Sequence, residues 1–321
     1  MKMISIHKIK NQIRPWLSLH LPKGGAPTVL ASIPRGGSTW IMEVLGALSG
    51  TRMIAEPFNV RVSEIRDALE IDNWADLLNA SARPKLVAYL RNIDNGSISF
   101  LNPNPFVQWR FLTSRTLFKM IHLPAHISEA IANQMGARFL CLVRHPVPVS
   151  LSRKVFPILD DFLQSEYRFE FSESQNELAE HLIQGGSHLE KGVLAWCLQF
   201  EPFLRDADEE RLSRLIFYEQ CVAETEGVFS SIEVRLAEHF PENIKARALA
   251  PSRVLSKSDA QTQTILKSQS DGDARVQHLI ARWQGQITDA DKSATQTILD
   301  AFEVDTYSAA DPLPKPTHAK T

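Results

Sequence analysis

The sequence predicts an α/β protein, a three-layer α/β/α domain with a central parallel sheet. Three observations carry that expectation. First, the chain holds short apolar runs that are continuous rather than alternating, as strands buried on both faces of a parallel sheet are. They are TVLASIP (28–34), TRMIAEP (51–57), TLFKMIHL (116–123), RFLCLVRH (138–145) and RLIFYE (214–219). Second, apolar residues between the runs recur at helical spacing and stop at glycine. Trp40, Ile41, Val44, Leu45 and Leu48 end at Gly50, and Ile127, Ala130, Ile131 and Met135 end at Gly136. Third, the two patterns alternate along the chain, which is the order that builds strand, crossover helix and parallel strand. With 321 residues, 44% of them apolar, and no Gly/Ser-rich or Pro-rich linker, one large core is expected.

Taken in order, residues 1–27 are basic and place Ile6, Ile9, Ile13, Trp16 and Leu17 on one helix face, so an N-terminal helical extension packed on the domain is expected. The segment lacks the unbroken apolar stretch of a signal peptide or spanning helix, and peripheral membrane contact through residues 1–21 is the lesser reading. Residues 28–321 form the domain proper. Two segments interrupt its alternation: residues 60–112, one helix-like piece (SEIRDALEIDNWADLLNA) followed by Pro- and Asn-rich chain, and residues 155–190, polar with a glycine pair. Both follow strand ends, where α/β folds place their binding crevice, and are read as walls of an acceptor pocket. DADEERLSR (206–214) reads as a solvated face, Thr288 and Asp291 as a helix capping box, and Trp109, Trp196 and Trp283 as core or pocket aromatics.

Charge is nearly balanced, 35 Lys+Arg against 37 Asp+Glu, so no global basic field exists to hold a nucleic acid and any anion site must be local. The three cysteines, Cys141, Cys197 and Cys221, lie in apolar segments, which suits buried thiols in a reducing, cytoplasmic setting. Neither a disulfide framework, nor zinc spacing, nor a carboxylate cluster for a metal is present in the sequence.

Two stretches carry chemistry. IPRGGSTW (33–40) follows the first strand and opens the first helix. Gly36 and Gly37 let the backbone turn and approach a ligand, the first amides of the helix point at it, Ser38 and Thr39 add hydroxyls, and Arg35 adds a charged fork. That set suits a phosphate or sulfate, although Ser38 as an ordinary N-cap explains the same residues. It is not a Walker loop, which needs a lysine before the hydroxyl. The second stretch, LVRHPVPVSLSR, ends the fourth strand, with Arg144 and Ser152 eight residues apart. A strand-end arginine and a hydroxyl from the following helix converge at that separation and could clamp a second phosphate.

Together these motifs resemble the sulfotransferases that use 3′-phosphoadenosine 5′-phosphosulfate (PAPS). PRGGSTW is similar to that family's 5′-phosphosulfate loop, RHPVPVSLSR to its 3′-phosphate motif, and FYEQ (217–220) to a YED that follows a later strand. The closing LIARWQGQITDADKSATQTILDAFEVDTYSAADPLP is similar to that of bacterial members, so the resemblance runs from about residue 28 to 314. It implies a P-loop-like sulfotransferase fold and PAPS as co-substrate, with no metal. It implies Arg35, Gly36, Gly37, Ser38, Thr39 and Trp40 about the 5′-phosphosulfate, Arg144 and Ser152 about the 3′-phosphate, and Tyr218 near the adenine. PSRVLSKSD (251–259) stands where cytosolic members carry RKG, so Arg253, Ser256 and Lys257 are further donor candidates.

For catalysis Lys119 is the expected partner of the leaving phosphate. Glu56, in AEPFN, matches a catalytic glutamate of carbohydrate-type and bacterial members, and His122, in KMIHLP, is similar to the histidine base of cytosolic ones. One extra residue separates Lys119 from His122, which on a strand turns them to opposite faces, so Glu56 is the preferred base, with burial expected to raise its pKa. The acceptor, a small molecule, carbohydrate or lipid, is not named by any residue. A non-catalytic nucleotide-binding module and a P-loop-like kinase are the alternatives.

Overall fold

The computed structural model describes residues 19–22, 25–98, 100, 110–248 and 277–315. In chain order the strands are β1 (Leu19–His20), β2 (Thr28–Ala31), β3 (Thr51–Ala55), β4 (Leu112–Thr113), β5 (Arg115–Met120), β6 (Arg138–Val143) and β7 (Leu215–Phe217). Five of them make one all-parallel sheet in the order β3-β5-β2-β6-β7. All five predicted strands are present and in place. The first strand in sequence of this sheet, β2, is central, with Leu30 opposite both Lys119 and Leu140. The chain therefore leaves β2 at the point where the winding reverses, and the carboxyl edge there is where α/β sheets form a crevice.

Continuous apolar strands need cover on both faces, and both are covered. Val29, Ala31, Ile54, Phe118, Met120, Phe139, Cys141 and Val143 point into one apolar cluster, while Leu30, Met53, Ala55, Leu117, Leu140, Leu142 and Ile216 point into another. The second face is closed by α1 (Ser38–Leu45) and by helices late in the chain. The first is closed by α2 (Ser63–Leu69), α3 (Trp74–Leu78), α4 (Arg83–Asp94), α5 (Ala125–Met135), α6 (Pro146–Ser152), α7 (Pro157–Phe162), α8 (Glu173–Gly185) and α9 (His188–Arg205). After α10 (Glu209–Ser213) come α11 (Tyr218–Ala223), α12 (Thr225–Leu236) and α13 (Glu242–Ala248) on the second face, and α14 (Asp289–Ala301) returns to the first.

The insertions hold more helix than their sequences suggest. The piece expected as one helix breaks after Glu70, which adopts left-handed φ 47°, and restarts behind a capping box of Asn73 and Asp76. Pro84 in the first turn then opens α4, where a proline's missing N–H costs nothing. The 155–190 segment, polar with a glycine pair in sequence, forms α7 and α8, α8 behind its own Ser172–Gln175 capping box. The expected Thr288–Asp291 box does start α14. DADEERLSR is a solvated face that leads into β7, with a short helix in it: Asp208 caps α10, which has no buried residue, and Arg211 and Arg214 both reach buried Glu129, at 2.8 and 2.9 Å.

The expected helical extension is described only at its end. Leu19–His20 is not helix but a strand paired in parallel with Leu112–Thr113, held by Leu19 N–H to the Phe111 carbonyl at 2.7 Å and His20 Nδ1 against Thr113 Oγ1 at 2.8 Å. Residues 1–18 lie outside the described residues. No described helix is long and apolar enough to cross a membrane.

Candidate active site

The loop after β2 is shaped by two residues of positive φ. Arg35 has φ 72° and Gly37 φ 91°. Gly36 closes the turn through its N–H to the Ile33 carbonyl at 3.0 Å, and a Cβ on it would lie 2.6 Å from Ser32 Oγ. Gly36 is thus a turn residue and does not reach the cavity wall. Gly37, not Ser38, caps α1 and offers no side-chain acceptor, so the first helical amides keep their donors for a ligand. A Cβ on Gly37 would meet the Tyr218 ring at 2.5 Å. Gly37→Ala is therefore expected to cost about 2–4 kcal/mol, combining the left-handed backbone penalty with overpacking. Gly136, with φ 66° and nothing within 4 Å of an added Cβ, supplies the comparison: Gly136→Ala should cost the backbone part alone, and equal urea midpoints for the two variants would refute the packing account.

The carboxyl ends of β3 and β5 lie beside this loop. Glu56 leaves β3 with φ 59°, a strained conformation for a side chain of this kind and one that recurs at functional sites. Its N–H stays bonded to the Lys119 carbonyl at 2.9 Å, so the two side chains emerge together. Lys119 Nζ donates to Glu56 Oε1 at 3.1 Å, while His122 Nε2, at 3.3 Å, and Asn59 Nδ2, at 3.1 Å, both donate to Oε2. Burial pushes the Glu56 carboxyl up, but the hydrogen bond from His122 and the Lys119 ammonium outweigh it and hold the pKa at about 2. The expected rise does not occur. His122 is also not turned away, because β5 pairing ends at Met120 and the alternation of a strand no longer applies two residues on. Burial depresses the His122 pKa, opposed by Glu56, so the imidazole is neutral at pH 7. With Nε2–H spent on Glu56, its Nδ1 carries the lone pair. Trp74 packs against the ring at 4.6 Å between centroids.

On the other side of the loop, Arg144 leaves β6 and donates to the Arg35 carbonyl at 3.1 Å, with its guanidinium 4.2 Å above the Tyr218 ring. Its own carbonyl accepts from Trp196 Nε1 at 2.8 Å. Behind it lies a buried polar knot. Glu219 accepts from the His145 amide at 2.9 Å and from the Tyr307 hydroxyl at 2.8 Å, and His145 Nε2 donates to the Ser308 carbonyl at 3.0 Å. Every polar group in it has a partner, as burial demands.

These parts open on one cavity of about 940 Å³. Arg35, Gly37, Ser38, Thr39, Trp40, Glu56, Lys119, His122, Arg144, Ser152 and Tyr218 all line it. Both insertions contribute wall residues, Trp74 and Leu78 from the first and Pro157 and Ile158 from the second. Ligand pockets run from about 300 to 1,000 Å³, and this one stands at the large end of that range.

No family model matches the chain, and no curated protein matches it. Among solved structures it is similar to a sulfotransferase domain from the Synechococcus PCC 7002 olefin synthase, at 16% identity and TM-score 0.44 over 88% of this chain and 97% of that one. It is also similar to the mouse sulfotransferase SULT7A1 complexed with PAP, at 13% identity and TM-score 0.43 over 88% of this chain and 85% of that one.

Arg253, Ser256 and Lys257, with Trp109, lie outside the described residues. The Tyr218 ring braces Gly37 and carries Arg144, which makes it a platform for the loop and the arginine. Ser152 lines the cavity while its hydroxyl donates to the Val149 carbonyl at 2.9 Å. Trp196 is core, whereas Trp283 touches the cavity and stacks on His145 at 4.4 Å. Asn59, Trp74, Arg61 and Arg153 also line the cavity and were not expected there. Two had a legible signal: Asn59, three residues after Glu56 in a proline turn, and Arg153, the last residue of RHPVPVSLSR.

Proposed function

We propose that this chain transfers a sulfuryl group from PAPS to a hydroxyl or amine of a small-molecule, carbohydrate or lipid acceptor. The observation that carries the reading is the meeting, in one cavity, of two separate anion-receiving groups with a Lys119–Glu56–His122 centre between them and the apolar wall. The capless α1 amides with Arg35 suit the 5′-phosphosulfate, and Arg144 with Ser152 suits the 3′-phosphate. A bound donor supplies an activated sulfuryl group; the rest of the chemistry falls to the chain. As the acceptor oxygen forms its bond to sulfur and the bond to the 5′-phosphate oxygen breaks, the acceptor proton passes to His122 Nδ1. Glu56 holds the resulting imidazolium, since a carboxylate of pKa about 2 stays anionic beside it. Lys119 and Arg35 receive the charge that gathers on the leaving phosphate. The buried, unpaired thiols of Cys141, Cys197 and Cys221 fit a reducing, cytoplasmic setting.

The test is calorimetry with adenosine 3′,5′-bisphosphate against ATP, followed by labelled PAPS with an acceptor panel. Tight bisphosphate binding with transfer supports the proposal, and binding without transfer to any acceptor identifies a nucleotide-binding module instead. Arg144→Ala should remove a charge-assisted contact of roughly 1.5–3 kcal/mol, about ten- to 150-fold in affinity, for the bisphosphate but not for adenosine 5′-phosphate. Equal loss toward both nucleotides would make Arg144 a structural residue.

A further inference from the structure

The cavity is lined by one buried arginine that no described carboxylate answers. Arg153 closes α6 and turns the chain toward α7. Its side chain lines the cavity although the residue is only 9% exposed. No described carboxylate or carbonyl accepts from its guanidinium, which lies over the Phe156 ring at 4.9 Å. Elsewhere sheltered cations have acceptors, carboxylates for Lys119 (Glu56), Arg211 and Arg214 (Glu129) and Arg205 (Glu201), and backbone carbonyls for Arg52 and Arg235. Burial lowers the Arg153 pKa to about 10, which leaves it charged at neutral pH. A sheltered charge without a partner is costly unless a ligand supplies the counter-charge.

The surroundings are built to hold it still. Phe156 packs on His188 at 5.0 Å, and His188 Nε2 donates to the Arg153 carbonyl at 2.8 Å. Ser152 and Lys154 flank it in the cavity wall, and the rest of that wall is apolar: Leu151 and Val155, then Pro157 and Ile158 on α7. That helix packs on α3, whose Trp74 touches His122. Arg153 therefore stands at the start of the wall that leads to the proposed base, while the donor's two anionic ends already have their own receivers. Glu56 is the sole carboxylate among the described lining residues, and it is held by its own cations.

We propose that Arg153 binds a carboxylate or similar oxyanion carried by the acceptor, so that the enzyme selects hydroxylated acceptors with an apolar body and a negative end. The inference rests on the sulfuryl-transfer reading and deepens it. The experiment compares a medium-chain ω-hydroxy acid with its methyl ester as acceptors, in the wild type and in Arg153→Met and Arg153→Lys, with bisphosphate affinity measured by calorimetry for each. The methionine stem keeps the packing over Phe156. In the wild type the acid should be used at least about ten-fold better in kcat/KM, Arg153→Met should erase that preference, Arg153→Lys should restore part of it, and bisphosphate affinity should not change. Equal use of acid and ester by the wild type overturns the proposal. So does a loss of bisphosphate affinity in Arg153→Met, which would assign the arginine to the donor. Absence of any transfer by the wild type fails the underlying reading, and the inference with it.

Discussion

His122→Ala and Glu56→Gln are each expected to lower kcat by about 10²–10⁴-fold, with the double variant no worse than the more damaged single one. The two side chains share a proton position at 3.3 Å, so removing either dismantles the same unit. Bisphosphate affinity should stay near that of the wild type in both. The pH profile separates their parts. A base must be unprotonated to work, and burial holds the His122 pKa below its usual 6.5, so the acid limb of kcat/KM should fall below that pH. Because Glu56 raises the His122 pKa, Glu56→Gln should move the residual limb further toward acid. A fully active His122→Ala beside an inactive Glu56→Gln would return the carboxylate to the role of base. The folded-state pKa of Glu56, about 2 against 4.5 unfolded, also means that it contributes stability above pH 4.5 that is lost as the pH falls toward 2. Glu56→Gln should flatten acid unfolding in that window.

Lys119→Met should depress turnover by about 10²–10³-fold while bisphosphate binding weakens much less. Charge accumulates on the leaving oxygen only as its bond to sulfur breaks, so a lysine aimed there acts on the transition state. The ammonium is 3.1 Å from Glu56 Oε1, and methionine fills its buried channel without replacing that charge. Glu56 should then titrate above 2, a change that carbon-13 spectra of the carboxyl would register. Loss of binding with an unchanged saturated rate would place Lys119 in ground-state recognition alone.

The sheet was legible because residues such as Val29 and Leu30 are covered from opposite faces, and double cover forces a short unbroken apolar run. Helix ends at Gly136 and Thr288 were legible for the same local reason: backbone conformation and capping are written in one or two residues. What did not read out depends on distance. The direction of His122 turns on where β5 stops pairing, which is decided by its neighbours rather than by its own sequence. The Glu56 pKa depends on Lys119 and His122, more than sixty residues away, and burial was the only one of its causes that AEPFN announced. Arg153 stands in sequence as the last residue of RHPVPVSLSR, and only the fold shows that no described acid meets it. Two-residue strands such as β1 and β4 are too short to carry any period.

The knot behind Arg144 has a consequence for the order in which the protein is made. Glu219 and Tyr307 are 88 residues apart, and His145 and Ser308 are 163 apart. During synthesis the turn that presents Arg144 leaves the ribosome long before the segment that locks it from behind. Until Tyr307 and Ser308 arrive, Glu219 Oε2 and His145 Nε2 lack the partners they have in the finished fold, so that end of the crevice stays incomplete in the nascent chain. The nascent protein thus acquires its sheet early and the geometry around Arg144 among the last things it completes.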